Sequence, residues 1–281
     1  MTGDKPIKDP TDLELADAVW NPIASTLDWP LRWRNPQRIL VCAQEDLFHE
    51  NASDAWIDRV FAAMALASWH KFIVSTKCVI RMRKYFEPKV PDGWRARVGA
   101  IVAEHNADHH SLSRLRPRGE SWLDQNWRRQ HLWLGTFVEE QAQWWRVAYL
   151  LLEDAALHFL RCEPILGPLD LTAPVKDDQL RGQGDAFSGW WSELGDLWPI
   201  GKLDWVIISG EGGPGARPCD LAQIAMIVND CRQHKVPVFI KRLGKHPWFI
   251  DPKGEDPAEW PQHLRVRQFP PFDTSEPKVM D

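Results

Sequence analysis

The chain of 281 residues is 44% hydrophobic and 26% charged, a composition typical of a folded protein rather than a disordered one. Its length suffices for one large α/β domain or two small ones. The 34 basic and 39 acidic residues give a net charge of -5, which argues against a protein that coats nucleic acid through charge alone.

Cysteine usage and hydropathy indicate a cytoplasmic protein. The five cysteines are scattered and none forms a C-x-x-C pair, so we expect reduced thiols rather than disulfides. The chain begins MTGDKPIKDP, without an apolar signal region. Its longest apolar run, Val60 to Trp69, is too short to span a bilayer, so we expect no membrane partner.

Apolar runs that favour strands alternate along the chain with helical patterns. The first run is Arg38–Cys42, and Ser53 is then placed to cap a helix with one apolar face. The later strand-like runs are His70–Thr76, Leu132–Val138, Leu157–Cys162, Leu203–Ser209 and Val236–Lys241, with an N-terminal one around Leu13–Trp20. Further helices are predicted through Arg81 and Arg83, and at Trp94–His110, Glu140–Ala155 and Leu221–His234.

This alternation predicts an α/β fold with a parallel sheet and right-handed crossovers. The strands are apolar throughout, as a sheet covered by helices requires. A six-stranded partial barrel and an open doubly wound sheet both fit the pattern. Residues 1–245 are expected to form one barrel-like domain, with a helical insertion near 87–130 and another insertion near 172–202. Residues 246–281 are expected to form an irregular tail rich in proline and charge.

Polar residues follow the ends of the predicted strands. Because ligands of parallel α/β folds bind at the carboxyl ends of the strands, we expect these side chains to converge on one pocket. Ordinary solvated loop starts are the alternative. The candidate ligand-binding residues are Asp46, His49, Lys77, Glu139, Glu163, Glu211 and Lys241.

The segment Ser209–Pro218, SGEGGPGARP, is the richest in glycine. Gly210 permits close backbone approach, and exposed N–H groups in such a loop can cradle an anion. Glu211 is suited to an ammonium group, and Arg217 to a carboxylate or phosphate. The segment lacks the G-K-[ST] of a phosphate-binding loop, and a plain tight turn is the alternative.

Two other patterns are less specific. His105 and His109 lie four residues apart in a predicted helix, a spacing that can hold a divalent metal. No third ligand is evident, so we predict no metal site. The basic stretches Lys77–Lys84 and Arg114–Arg118 are suited to phosphates, which leaves nucleic-acid binding open, although solvated surfaces explain them more simply.

Seven longer segments, in a fixed order between about residues 13 and 245, are more specific than any single motif. They are Ala18–Pro22 (AVWNP), Trp29–Trp33 (WPLRW), Asp46–Glu50 (DLFHE), Trp133–Gly135 (WLG), Cys162–Asp170 (CEPILGPLD), Gly210–Pro218 (GEGGPGARP) and Val236–Lys241 (VPVFIK). In these segments the chain resembles the three-cysteine-motif phage proteins, a family of phages and prophages that is similar to radical SAM enzymes. The resemblance implies a partial (βα)6 TIM-like barrel of the radical-SAM type.

The chain departs from that family where an iron–sulfur cluster would bind. In the family, a loop after the W-N-P strand carries three closely spaced cysteines, which would hold three irons of a [4Fe–4S] cluster and leave the fourth for S-adenosylmethionine. Here Trp20–Pro22 is followed by IASTLD and then directly by Trp29, and none of the five cysteines substitutes by spacing. We therefore expect no cluster and no resident cofactor, and S-adenosylmethionine stays a candidate ligand.

The resemblance implies that Glu139, Glu163, Gly210, Glu211 and Arg217 line what remains of a pocket. The first hypothesis is a cluster-less relative that binds an unknown small molecule or a partner without radical chemistry. The partner would be an intact three-cysteine homologue or another phage-encoded protein. The alternatives are a non-radical enzyme acting on a nucleotide or nucleic acid, a structural subunit that pairs with an intact homologue, and a decaying prophage gene.

Overall fold

A computed structural model describes residues 16–87, 93–108, 127–177, 179–212, 215–251 and 253–271, with only the backbone at 106–108. The strands are β1 (Ala18–Trp20), β2 (Arg38–Val41), β3 (Lys71–Thr76), β4 (Leu132–Phe137), β5 (Leu157–Cys162), β6 (Val175–Asp177), β7 (Gly182–Asp185), β8 (Trp190–Glu193), β9 (Asp196–Pro199), β10 (Trp205–Ser209) and β11 (Val238–Arg242). The helices are α1 (Trp29–Arg32), α2 (Asp54–Leu66), α3 (Val79–Phe86), α4 (Trp94–Asp108), α5 (Trp127–His131), α6 (Arg146–Leu151) and α7 (Leu221–Gln233). Among these helices none has the length and hydropathy needed to cross a bilayer.

Seven strands form one parallel sheet, in the order β1-β2-β3-β4-β5-β10-β11, which curls into a half-barrel. The α/β class predicted from the sequence is confirmed, and the curl favours a partial barrel over an open sheet. All six internal apolar runs and the N-terminal one form strands of this sheet, one more than in the predicted six-stranded barrel; β1 pairs with β2, and Ala18 lies opposite Ile39. Residues 13–15 of the predicted N-terminal strand lie outside the described residues.

The two faces of the sheet are apolar for different reasons. One face packs against the helices. Val74 and Leu134 of this face belong to a hydrophobic cluster that also contains apolar residues of α2, α6 and α7. The other face forms a second cluster to which the helices contribute nothing, and we identify it as the concave interior. Its large members include Phe159 and Trp205. Gly135 leaves room for the Phe159 ring, since a Cβ atom there would lie 2.4 Å from that ring.

Helix α2 starts directly after the predicted capping residue Ser53. The Ser53 hydroxyl accepts a hydrogen bond from the Trp56 N–H at 3.2 Å, and α2 begins at the next residue, Asp54. The predicted helix Glu140–Ala155 was wrong in extent, since only a 3-10 turn at Gln141–Gln143 and the short α6 form there. The Gln143 side chain accepts a hydrogen bond from the Glu139 N–H at 2.8 Å.

The segment predicted as an insertion near 172–202 holds a separate four-stranded antiparallel sheet, in the order β6-β7-β8-β9. Trp191 is its buried centre, and a Cβ atom at Gly182 would lie 2.3 Å from the Trp191 indole nitrogen, so the indole ring requires a glycine at this position. The Tyr149 hydroxyl of α6 donates to Asp177 at 3.0 Å and fixes the small sheet to the barrel.

Residues 264–271 form a strap along the outer edge of β11. The Ile240 N–H donates to the Val266 carbonyl at 2.9 Å, and the Gln268 N–H donates to the Val238 carbonyl at 2.7 Å. The ring of Phe269 packs at 4.9 Å from that of Phe239, centre to centre, on the concave face. The strap therefore covers the backbone edge that β11 would otherwise expose.

Candidate ligand site

The carboxyl ends of the seven parallel strands lie along one edge of the half-barrel, where Asp46 joins the loop after β2 to the end of β3. The Thr76 hydroxyl donates to Asp46 Oδ1 at 2.7 Å, and the Lys77 N–H donates to Oδ2 at 2.7 Å. The Phe48 N–H also donates to Oδ1, at 2.9 Å. Both carboxylate oxygens of Asp46 thus have protein partners, which gives this residue a positioning role at the edge.

Lys77 and Glu139 form an ion pair across the neighbouring ends of β3 and β4. The Nζ–Oε1 distance is 2.5 Å, with half of the Lys77 side chain exposed and the Glu139 side chain mostly buried. Lys77 Nζ also lies 5.4 Å from the centre of the Phe137 ring. The two residues were predicted to converge, and the structure brings them together.

A buried cluster of three charged side chains, Arg161, Glu163 and Lys241, lies where β5 and β11 end, and we call it the charged cluster. Arg161 donates from Nε to Glu163 Oε2 at 2.5 Å, and its NH2 atom lies 2.5 Å from the same oxygen. Lys241 Nζ lies 3.4 Å from the other oxygen, Oε1. Each of the three side chains is less than 10% exposed. Arg161 also donates to the Ser75 hydroxyl on β3, at 3.3 Å.

The charges of the cluster keep Glu163 ionised. Burial alone would raise the pKa of this carboxyl group, but the interactions with Arg161 and Lys241, chiefly their positive charges, outweigh it, and the pKa lies below its usual value. The long Lys241 contact is an ionic one, because a charge-assisted hydrogen bond normally spans about 2.7–2.9 Å. Glu163 Oε1 is buried and has no hydrogen-bond partner among the described residues.

Glu211 and Arg217, predicted as ligand contacts, bind one another instead. The Arg217 backbone N–H and side-chain Nε both donate to Glu211 Oε2 at 2.9 Å. The side-chain hydrogen bond is the main reason why the pKa of Glu211 lies below its usual value. Both side chains are partly exposed, and the pair closes the glycine-rich loop on the surface.

The glycines of this loop serve close packing of the protein's own backbone. A Cβ atom on Gly210 would lie 2.2 Å from the Leu243 carbonyl oxygen, so only glycine permits this contact between the loops after β10 and β11. Gly244 sits there with φ of +75°, and its own Cβ would lie 2.9 Å from the Glu211 carbonyl. The close approach predicted at Gly210 is thus made by a neighbouring loop.

His49 takes no part in the charged cluster. It is exposed, and its Nδ1 accepts a hydrogen bond from the Asn51 N–H at 3.2 Å. His105 is half-buried beside Leu31 and Leu66, in a cavity of about 310 Å³ between α1, α2 and α4, and His109 lies outside the described residues.

Arg161 and Ser75 are the members of the site that sequence reasoning missed. Both lie inside strands, whereas the candidates were sought at strand ends. The sequence did contain a signal for Arg161, because a charged residue in a run such as LHFLRC needs a polar partner when the strand is buried. A second polar contact lies at the ends of β10 and β11, where Arg242 Nε donates to the Ser209 hydroxyl at 3.1 Å.

The cysteines do not offer a cluster site in the described part of the chain. All five lie there, and no three His, Cys, Asp or Glu side chains of that part converge as a metal would require. Burial raises the pKa of Cys42, Cys219 and Cys231 to about 12, which disfavours the thiolate that binds iron. The described residues therefore do not fit a [4Fe–4S] cluster.

Comparison with known proteins gives one assignment. Residues 7–255 match the family described as "Protein of unknown function (DUF5131)". The chain belongs to this family. Searches of the curated proteins and of the solved structures find no significant match. The family match spans the half-barrel and its antiparallel insertion, and it ends before the strap on β11.

Proposed function

We propose that this DUF5131 protein is a cluster-less relative of the radical-SAM-like phage proteins that binds a small polar ligand at the charged cluster, without radical chemistry. The observation that carries the proposal is the burial of Arg161, Glu163 and Lys241 together at the carboxyl edge of a parallel half-barrel. This edge is where folds of this kind bind their ligands.

Stability alone is a poor reason for such a cluster. Taking charged groups out of water costs several kcal/mol for each ion, and apolar replacements of buried ion pairs are often neutral or stabilising by about 1–4 kcal/mol. The neighbouring strand positions are filled by apolar residues, as at Phe159 and Ile207, so the fold itself does not need charge in the interior. A role in binding accounts for charged residues at this place.

The shape of the interior limits where the ligand lies. Below the charged cluster, the concave face is filled by large side chains, among them Trp133, Phe159, Trp205 and Phe239. A Cβ atom at Gly135 would already collide with Phe159, which shows how little space that layer leaves. The ligand therefore lies on the cluster at the open edge and does not enter the barrel.

S-adenosylmethionine is the first ligand to test, because the family resemblance implies it. When bound, it would supply a transferable methyl group. The chain's part would be to hold its polar groups through Arg161, Glu163 and Lys241. A cavity of about 440 Å³ beside Arg232 and Phe269 lies at the start of β11, the end of the strand opposite to the cluster, and is not part of this site.

The test is a thermal-shift and calorimetry screen of the purified full chain. The ligands are S-adenosylmethionine, S-adenosylhomocysteine, nucleosides, nucleotides, amino acids and inorganic phosphate. A ligand that binds only the folded state stabilises it by about 2.7 kcal/mol at 100 times its Kd. We expect a shift that is lost in Lys241→Met and kept in Glu211→Gln, with unfolding curves to check that each variant folds. A shift lost only in Glu211→Gln would move the site to the glycine-rich loop, and no shift with any ligand would refute the proposal.

A further inference from the structure

The cavity of about 440 Å³ at the start of β11 lies between the C-terminal end of helix α7 and the strap. Four valines form its apolar part: Val228, Val236, Val238 and Val266. All four belong to the core cluster between the sheet and the helices or pack against it. The cavity is thus an opening into the hydrophobic core, and its volume falls in the range of about 300–1,000 Å³ that is typical of small-molecule sites.

The end of the sheet explains why this cavity exists. β11 is the last strand of the sheet, and in the described part of the chain no α-helix follows it to pack beside α7. The strap takes that place, and the 3-10 turn Gln262–Leu264 at its start contacts α7. Farther along, the strap is held on β11 by its backbone hydrogen bonds and leaves a gap to the helix. Filling this gap with an apolar group is favourable, because it removes the valine surface from water.

Two cationic side chains border the cavity. Arg232 lies in the last turn of α7, and Lys235 follows in the turn to β11, with a φ of +58°. Both residues are exposed, and Arg232 donates to the Asn229 side-chain oxygen at 3.2 Å. Neither cation forms an ion pair with an acidic side chain of the described residues. Their charges can therefore be neutralised by an anion at the mouth of the cavity.

Gln268 of the strap adds a neutral donor to the cavity wall. Its backbone N–H donates to the Val238 carbonyl at 2.7 Å, and its side-chain oxygen accepts from the Val238 N–H at 3.3 Å. With that oxygen held by β11, the amide nitrogen is the end of the side chain that can donate to a bound group. The described lining residues thus combine an apolar wall with cationic and neutral donors and include no acidic side chain.

This combination selects the chemical class of the ligand. A cation would be repelled by Arg232 and Lys235. A small inorganic anion would leave the valine surface in water, and a neutral apolar molecule would make no use of the two charges. An apolar molecule with one anionic head group satisfies both parts of the cavity.

We propose that the cavity binds a small amphipathic carboxylate, with its apolar chain or ring against the valines and its carboxylate at Arg232 and Lys235. This site goes beyond the proposed function, because it lies at the end of β11 opposite to the charged cluster. It stands or fails independently of any ligand at that cluster.

The test compares four probes on the unaltered full chain by calorimetry: octanoate, 1-octanol, octylamine and acetate. A hydrogen bond to a charged group favours octanoate over 1-octanol, and exposure to solvent keeps the difference at about 10-fold. We expect no measurable binding of octylamine, which has the wrong charge, or of acetate, which lacks the apolar chain. If octanoate does not bind, or binds no more tightly than 1-octanol, the proposal is wrong.

A double variant, Arg232→Gln with Lys235→Asn, then locates the site. Asparagine tolerates the positive φ at position 235, and both residues are exposed, so thermal unfolding should stay close to that of the unaltered chain. We expect the preference for octanoate over 1-octanol to disappear. Lys245→Gln, an exposed position in the loop after β11, is the control and should keep the preference. A preference that survives in the double variant would overturn the assignment.

A shortened chain tests the other possible occupant. Deleting residues 272–281 leaves every lining residue of the cavity in place, since the last of them is Pro271. We expect octanoate to bind this chain with unchanged affinity. Clearly tighter binding would show that the deleted segment competes for the cavity, and would assign the cavity to that segment instead of a small molecule.

Discussion

The imidazole of His70 joins helix α1 to the sheet: its Nε2 lies 2.9 Å from the Pro30 carbonyl oxygen, while its Nδ1 accepts a hydrogen bond from the Gln37 N–H at 3.1 Å. With Nδ1 accepting, Nε2 is the protonated nitrogen and donates to Pro30. The ring is fully buried, and this burial lowers the pKa of His70 from 6.5 to about 4. The neutral imidazole therefore holds the P-L-R-W segment in place.

Stability should fall on acidification because of His70. His70 binds a proton near pH 6.5 in the unfolded chain and only near pH 4 in the folded chain. Its contribution to the free energy of unfolding is therefore complete above pH 6.5 and is lost as the pH falls toward 4. The full loss amounts to about 3 kcal/mol. Urea unfolding at pH 7.5, 6 and 5 measures it, with His70→Gln as the comparison.

The comparison with His70→Gln is needed because His158 is also buried and its pKa is also lowered by burial. The pH dependence of the free energy of unfolding that remains in His70→Gln comes from His158 and from other groups. We expect the free energy of unfolding to depend less steeply on pH in His70→Gln. Equal slopes in the two proteins would show that His70 does not titrate as described.

Removing one member of the charged cluster should destabilise the fold strongly. Arg161→Met leaves Glu163 buried with a weaker partner and leaves Ser75 without its donor, so we expect a loss of about 3–5 kcal/mol. Chemical denaturation monitored by tryptophan fluorescence measures this loss. The triple variant Arg161→Met, Glu163→Met, Lys241→Met removes all three charges of the cluster and should recover part of the stability; a further loss would contradict the assignment.

Gly210 should not tolerate a side chain. In Gly210→Ala the new Cβ would lie 2.2 Å from the Leu243 carbonyl oxygen, a backbone atom that has no alternative rotamer. We expect a loss of about 1–3 kcal/mol, as for overpacked sites generally. The matched control is Gly167→Ala, whose Cβ would lie 3.4 Å from Glu140 Cβ. Equal melting temperatures for the two variants would disprove the backbone contact.

The strap on β11 should protect the protein from self-association. Deleting residues 265–281 removes the Val266 and Gln268 hydrogen bonds to β11 and exposes a strand edge. We expect concentration-dependent oligomers in size-exclusion chromatography with light scattering. Deleting residues 272–281 alone retains the strap and should leave the oligomeric state unchanged. Identical elution of the two truncated chains would show that the strap has no such role.

Local sequence patterns predicted the main sheet because its strands are short, apolar and separated by helices, so each was visible on its own. The same reasoning did not resolve the antiparallel insertion into strands. β7 contains two glycines, and the four strands of that sheet fully bury only three residues, so neither alternation nor an apolar run marks them. The sheet is specified by tertiary packing around Trp191, which sequence periodicity does not report.

The candidate site was predictable only where its residues follow strand ends. Glu163 and Lys241 were identified in this way, and the structure places them 3.4 Å apart although they lie far apart along the chain. Arg161 was not identified, because whether a charged residue inside a strand has a buried partner depends on its neighbours in space. Glu211 and Arg217 were identified as well, but their mutual ion pair follows from a loop conformation that composition does not determine.

The turn between β8 and β9 offers a place for attaching a reporter. Leu194 is 99% exposed, Gly195 has no atom within 4 Å of its Cβ position, and both adopt a positive φ. Exposed loop tips of this kind tolerate inserted domains best. A fluorescent protein placed between these two residues would extend from the small sheet and leave the seven-stranded half-barrel intact, so that binding at the charged cluster could be followed in cells.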